Sequence, residues 1–169
     1  SKVAAALHLP QYLSYTLTGA LHTDITSIGC HTNLWDFTRQ HYHRWVTEEQ
    51  VDGKFPAIKD CTEQAGTTAQ GIPVGGGLHD SSAALIPYLA SFTEPFVLLS
   101  TGTWCITLNP FNAQPLTIPE LKSDCLCYLT YKGKPVKASR LFAGNEHELQ
   151  VKRLAAHFEK EVNYYKTVK

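Results

Sequence analysis

Three consecutive glycines, Gly75-Gly76-Gly77, run straight into Leu78-His79-Asp80 and then into Ser81-Ser82-Ala83-Ala84-Leu85-Ile86. Glycine lets backbone or ligand approach closely, so the run reads as the end of an edge strand entered from Gly66 to Val74. The small residues that follow form a helix able to pack tightly on a sheet, with Asp80 as its N-cap. Pro87 is expected to kink or end that helix. A strand, a glycine break and a sheet-packed helix in that order specify an α/β chain.

The flanking segments extend this pattern. Pro10 sits where a first helical turn tolerates it, and Tyr12 to Leu17 with Gly19 behind it reads as a brief helix with a glycine C-cap. A loop over 22–33, a turn at Asp36 and a short helix near Tyr42 to Val51 follow. Phe96 to Ser100 and Thr103 to Leu108 are β-rich runs around Thr101-Gly102, a hairpin. Pro110 to Pro119 reads as a loop, Asp124 to Tyr131 as a strand and Lys132-Gly133-Lys134-Pro135 as a turn. From Ala143 to Lys160, Leu149, Val151, Leu154, Ala155 and Phe158 follow helical spacing as a packing stripe, with Asn145 and Glu148 forming a capping-box pattern.

Candidate chemistry gathers at two places. Asp80 is a carboxylate at a strand end, where α/β folds place catalysis, and it can also simply cap a helix. Ser100-Thr101-Gly102-Thr103 can present N–H groups and hydroxyls to phosphate, and it can also be an ordinary hairpin turn. No Gly-Lys-Ser/Thr, Gly-x-Gly-x-x-Gly or Gly-x-Ser-x-Gly occurs. Cys30-His31 with His41-Tyr42-His43, and Cys125-x-Cys127, match no paired zinc spacing and read as ordinary core or surface residues.

Charge narrows the partners. Lys+Arg and Asp+Glu both number 15, whereas a protein that neutralises nucleic-acid phosphates or docks on anionic membrane is clearly basic. No nucleic-acid or membrane role is therefore expected, and no apolar run approaches the roughly 20 residues that span a bilayer. Five cysteines, an odd number, point to a reducing compartment, and residues 1–8 lack a signal-peptide apolar core, which makes the cytoplasm the default.

Leu17-Thr18-Gly19, the Thr23 to Leu34-Trp35-Asp36 stretch, Gly76-Gly77-Leu78-His79-Asp80 and Ser100-Thr101-Gly102-Thr103-Trp104, taken in this order, resemble the central region of the FGGY carbohydrate kinases. The resemblance leans to the rhamnulokinase and fuculokinase type. It implies two ribonuclease H-like, actin-like ATPase lobes, with residues 1–92 closing the first, sugar-binding lobe and 93–169 opening the second, nucleotide-binding one. It also implies ATP with Mg²⁺ as cofactor and a ketose or related sugar or polyol as substrate. By position in the motifs, Asp80 would be the general base, His79 and Ser81 would touch the sugar, Gly102 and Thr103 would bind ATP phosphates, and Gln150 would contact nucleotide. Asn145 falls at the wrong offset for the family's sugar-binding Asn. The chain has no Asp-x-Gly-Thr phosphate loop and no C-terminal Gly-Gly adenosine loop. It is therefore expected to be an internal piece of a longer kinase, a poor kinase alone, with exposed apolar surface that invites self-association. Alternatives are a kinase for xylulose, ribulose or glycerol, and a non-catalytic actin-like binding or assembly module; a homodimer stays open.

Overall fold

The computed structural model describes residues 2–168. Helix α1 (Leu9–Thr18) has Pro10 in its first turn and ends at Gly19, whose φ of +70° lets its N–H reach the Tyr15 carbonyl, as expected from a proline start and a glycine stop. One face of α1 is polar and buried for a specific reason. Ser14 Oγ donates to the Gly75 carbonyl (2.8 Å) and Gln11 Nε2 to the Gly77 carbonyl (2.9 Å), while His22 Nε2 lies 2.8 Å from the Gly76 carbonyl. Three side chains thus satisfy three successive glycine carbonyls, from the last residue of an edge strand into the segment beyond it.

Helix α2 (Ile25–Ile28) is one turn capped by Asp24. Strands β1 (Trp35–Asp36) and β2 (His41–Tyr42) form a small antiparallel hairpin whose turn is held by Asp36 Oδ1 accepting from the N–H groups of Thr38 and Arg39. The helix expected over Tyr42 to Val51 is shorter, α3 (Arg44–Glu48), because Tyr42 pairs with Trp35 in the hairpin. Strands β3 (Gln64–Thr67) and β4 (Pro73–Gly75) pair antiparallel, and β4 leads through the remaining glycines into α4 (Asp80–Ser91).

Two details of α4 correct the sequence reading. His79, not Asp80, is the N-cap, and Asp80 is the first helical residue. Pro87 lies inside the helix, which continues to Ser91. An interior proline costs about 3 kcal/mol. Packing on both sides of it offsets that cost: Leu85 is 1% exposed in the core, and beyond it Tyr88 stacks on Phe92 while Phe96 packs against both at a tilt.

Strands β5 (Leu98–Ser100) and β6 (Cys105–Asn109) form the expected hairpin, now with a four-residue turn. Helix α5 (Ile118–Lys122) occupies part of the stretch read as a loop. It carries the chain's capping box: Thr117 Oγ1 accepts from the Glu120 N–H and Glu120 Oε2 accepts from the Thr117 N–H. Strand β7 (Cys125–Leu129) turns at Gly133 into β8 (Pro135–Leu141), which inserts between β6 and β7 in an all-antiparallel sheet ordered β5-β6-β8-β7. Val136 and Ala138 face the core with Leu85, Leu108, Tyr128 and Cys30, and Lys137 and Ser139 between and after them do not, the period of two that a sheet with one covered face requires. A second cluster joins Ile28, Leu34 and Val46 to Trp35, Tyr42 and Phe55. Helices and sheets together make the expected mixed α/β fold.

Helix α6 (Ala143–His157) begins two residues before the expected cap, with Asn145 inside its first turn and no side-chain cap at Phe142. A neighbour substitutes for the cap: the Gly144 N–H donates to the Thr103 carbonyl at 2.9 Å. The apolar stripe is not packed as expected, since Leu149, Leu154 and Phe158 are exposed.

One electrostatic consequence is local. Lys137 Nζ lies 2.7 Å from Glu120 Oε1, and with the Thr117 bonds it pulls the Glu120 pKa from 4.5 down to about 2. A depressed carboxylate contributes stability above its unfolded pKa and loses it as pH falls through the folded value. The contribution should therefore fade between about pH 4.5 and 2. A carboxyl NMR titration is expected to place the Glu120 midpoint near 2 and Lys137→Ala to move it back up. A midpoint near 4.5 in the unsubstituted protein would contradict the pairing.

Candidate functional site

The glycine carbonyls held by α1 and His22 deliver His79, Asp80 and Ser81 to the start of α4. Gly77 adopts φ +73°, and a Cβ there would lie 2.9 Å from the Pro10 carbonyl oxygen, so only glycine turns the chain at this point. A second tether comes from α2. The His79 N–H donates to Thr26 Oγ1 (2.9 Å), and that hydroxyl donates to Asp24 Oδ1. Asp24 is buried; burial raises its pKa while bonds from the Thr26 hydroxyl and from the Ser27 and Thr26 N–H groups oppose the rise.

The Asp80 side chain is 93% exposed. Its Oδ1 accepts from the Ser81 N–H at 2.6 Å and lies 3.1 Å from His79 Nε2. One oxygen is thereby oriented while the other faces solvent, the arrangement a proton acceptor for an incoming hydroxyl needs.

Behind Asp80 lies a neutral cluster. His79 Nε2 is 2.9 Å from Cys30 Sγ, and His79 Nδ1 is 3.4 Å from Ser82 Oγ. Tyr128 packs against both His79 and His31, and its hydroxyl lies 3.0 Å from His31 Nε2. Burial lowers the pKa of His79 and of His31, and pushes the Cys30 thiol and the Tyr128 phenol up to about 12. At neutral pH the cluster carries no charge beside a single exposed carboxylate.

Gly102 and Thr103 are exposed in the β5–β6 turn. Gly102 is not in the left-handed region, and a Cβ there meets only the Trp104 carbonyl oxygen at 3.8 Å. The Thr103 bond to Gly144 seats the turn on the first turn of α6, and Trp104 stacks on Phe142 at 4.6 Å with the Arg140 guanidinium 5.6 Å from its ring centre. Asp124 holds Arg140 through Nε and Nη2, the latter at 2.6 Å. Gln150 lies on the same helix, exposed and bonded to Glu146.

Two groups result, His79-Asp80-Ser81 and Gly102-Thr103 with Gln150. Among the described residues no hydrogen bond or ion pair joins one to the other. A cavity of about 870 Å³ between the β1–β2 hairpin and residues 113–121 includes His31 but none of these six residues. Cys30, His31 and Tyr128 escaped the sequence reading as neighbours of His79, since 49 and 48 residues separate the first two from it and 49 the third. Nothing in their spacing signals the encounter. The stretch 22–33 reads as a loop in the sequence, so the helix turn capped by Asp24 and its support of His79 through Thr26 come from the structure alone.

Residues 93–167 match the family model for the C-terminal domain of the FGGY carbohydrate kinases. Among solved structures, a carbohydrate kinase from Novosphingobium aromaticivorans is similar with a TM-score of 0.75 and 30% identity, over 86% of this chain and 35% of that one. A xylulose kinase from Lactobacillus acidophilus (TM-score 0.67, 15% identity, 95% of this chain and 34% of that one) and one from Bifidobacterium adolescentis (0.66, 14%, 95% and 37%) share the fold. The chain spans about a third of the length of these proteins. No curated protein matched the chain in a sequence search. Among the described residues no helix is long and apolar enough to cross a membrane.

Proposed function

Since the chain belongs to the FGGY carbohydrate kinase family, we propose that it serves ATP-dependent phosphorylation of a sugar hydroxyl, with Asp80 as the general base. The observation that carries this reading is the exposed Asp80 carboxylate, oriented by Ser81 at the end of the glycine segment. A hydroxyl of a ketose or polyol gives its proton to Asp80 as the sugar oxygen attacks the γ-phosphorus, and the bond from that phosphorus to the ADP oxygen breaks. His79 and Ser81 flank the hydroxyl and orient it. The sugar is of the rhamnulose and fuculose class, with xylulose, ribulose and glycerol as the competing acceptors.

The Gly102-Thr103 turn suits the ATP phosphates. It is exposed and open above Gly102, and among the described residues the N–H groups of Gly102 and Thr103 have no hydrogen-bond partner. Gln150 stands on the helix that follows. No carboxylate belongs to this turn, and Mg²⁺ enters here as the counter-ion of ATP. The small-molecule sugar and ATP are the partners, nucleic acid and membrane are not, and the five unpaired cysteines suit a cytoplasmic setting.

The test is phosphorylation by the protein carrying this chain of a panel of rhamnulose, fuculose, xylulose, ribulose and glycerol with Mg·ATP. One sugar is expected to be phosphorylated well above the others, and failure with all of them would remove the reading. Gly102→Val is expected to weaken ATP binding by about tenfold or more, as losing one phosphate contact of ~1.4 kcal/mol would, with an unchanged melting temperature because the added carbons meet little protein. Unchanged ATP affinity would leave the segment a plain hairpin turn.

A further inference from the structure

We propose that Cys30, His31 and His79 form a binding site for a thiophilic divalent cation of the zinc type, with the Asp80 carboxylate as its fourth ligand. One potential ligand atom from each of the three lies within 4.8 Å of the other two, although they come from two distant segments, the end of α2 and the start of α4.

The protonation pattern favours a cation there. Ser82 Oγ donates its proton to the Leu129 carbonyl at 2.8 Å, so toward His79 Nδ1 it can only accept. That places the imidazole proton on Nδ1 and leaves the Nε2 lone pair facing Cys30 Sγ at 2.9 Å, the tautomer a metal-bound histidine needs. Asp80 Oδ1, also an acceptor, lies 3.1 Å from the same Nε2. Two acceptors, His79 Nε2 and Asp80 Oδ1, thus face one another, and a cation between them serves both.

The remaining ligand is also oriented. His31 is held at φ +54°, a region side chains other than glycine rarely adopt, and the Tyr128 hydroxyl at 3.0 Å orients its ring. A tetrahedral centre with Zn–S of about 2.3 Å and Zn–N of about 2.0–2.1 Å requires the sulfur and nitrogen to open to roughly 3.5 Å, which the exposed His31 and Asp80 can follow. On binding, the Cys30 S–H bond breaks, a metal–sulfur bond forms and the proton passes to solvent. One thiolate and two imidazoles select zinc-type ions over Mg²⁺. Where the proposed function holds, occupancy also withdraws His79 and Asp80 from the sugar, so the cation is an inhibitor.

The test is titration of the protein with Co²⁺, followed by thiolate-to-cobalt charge transfer, then displacement by Zn²⁺. One equivalent should give the band, Zn²⁺ should abolish it and a large excess of Mg²⁺ should not. Outer-shell changes already cost 10–100-fold in metal affinity, so Cys30→Ser should remove the band and weaken binding by about 100-fold or more. His31→Asn, at an exposed position, should weaken it by about tenfold or more with the fold intact. A band that survives Cys30→Ser, affinity unchanged by His31→Asn in the folded variant, or no band at all would overturn the site. The link to the sugar is read separately, as a rise in sugar KM with Zn²⁺. Binding with the band present and KM unchanged keeps the cation site and overturns the placing of His79 and Asp80 at the sugar.

Discussion

Asp80→Asn is expected to lower kcat for sugar phosphorylation by about 10²–10⁴-fold, the contribution of a positioned general base. The substitution keeps the size of the side chain, and an asparagine oxygen can still accept from the Ser81 N–H that Asp80 Oδ1 takes at 2.6 Å. With 93% of the side chain exposed, no packing is lost, so the melting temperature should hold within about 0.5 kcal/mol of stability, as for other surface changes. ATP affinity should also hold, because Gly102 and Thr103 lie on a separate hairpin. Asp124→Asn is the informative contrast. Asp124 pairs with Arg140 rather than facing solvent alone, and its loss should be felt in local order around Trp104 and not as a loss of proton transfer. Turnover by Asp80→Asn at the unsubstituted rate would remove Asp80 from the chemistry.

Gly77→Ala is expected to destabilise the fold by about 2–5 kcal/mol, combining the left-handed backbone cost of ~1–2 kcal/mol with overpacking of about 1–3. The added Cβ would meet the Cβ, carbonyl oxygen and carbonyl carbon of Pro10 at 2.9, 2.9 and 3.0 Å. Two of those atoms are backbone at the start of α1, so no side chain can swing aside. The clash would also disturb the Gln11 bond to the Gly77 carbonyl and, two residues on, the aim of His79. Gly75→Ala provides the control, because a Cβ there meets nothing within 4 Å and φ is not left-handed. The check is the denaturant midpoint of both variants at constant m. An equal, small shift for the two would mean that the Pro10 contact does not constrain the segment.

Several elements were legible residue by residue. Pro10 and Gly19 bracket α1 because a missing N–H suits a first turn and a positive φ suits a stop. The β5–β6 hairpin follows from two β-rich runs around Thr101-Gly102. The Thr117-Ile118-Pro119-Glu120 box lies in a proline-bearing stretch that reads as a loop, and the structure makes it the cap of α5. Strand β8 also carries an alternation in its sequence, Val136 and Ala138 inward with Lys137 and Ser139 outward, directly behind the Lys132 to Pro135 turn.

Other outcomes were decided between elements. Pro87 stays helical because Leu85 is anchored in the core and the aromatic stack lies beyond it, neither of which local propensity expresses. The Asn145 cap goes unused because the Thr103 carbonyl, on another hairpin, takes the Gly144 N–H first. The triple glycine was readable as a break ahead of His79-Asp80. That its carbonyls would be held by Ser14, Gln11 and His22 was not.

Caps, turns and glycine stops involve atoms a few residues apart, so their energies are written into short stretches of chain and can be read there. The meeting of Cys30 and His31 with His79 across some 49 residues depends on α2, α4 and the sheet packing as one body. No local energy encodes that distance; the shared burial around Leu85, Tyr128 and Cys30 closes the long loop between them and sets it.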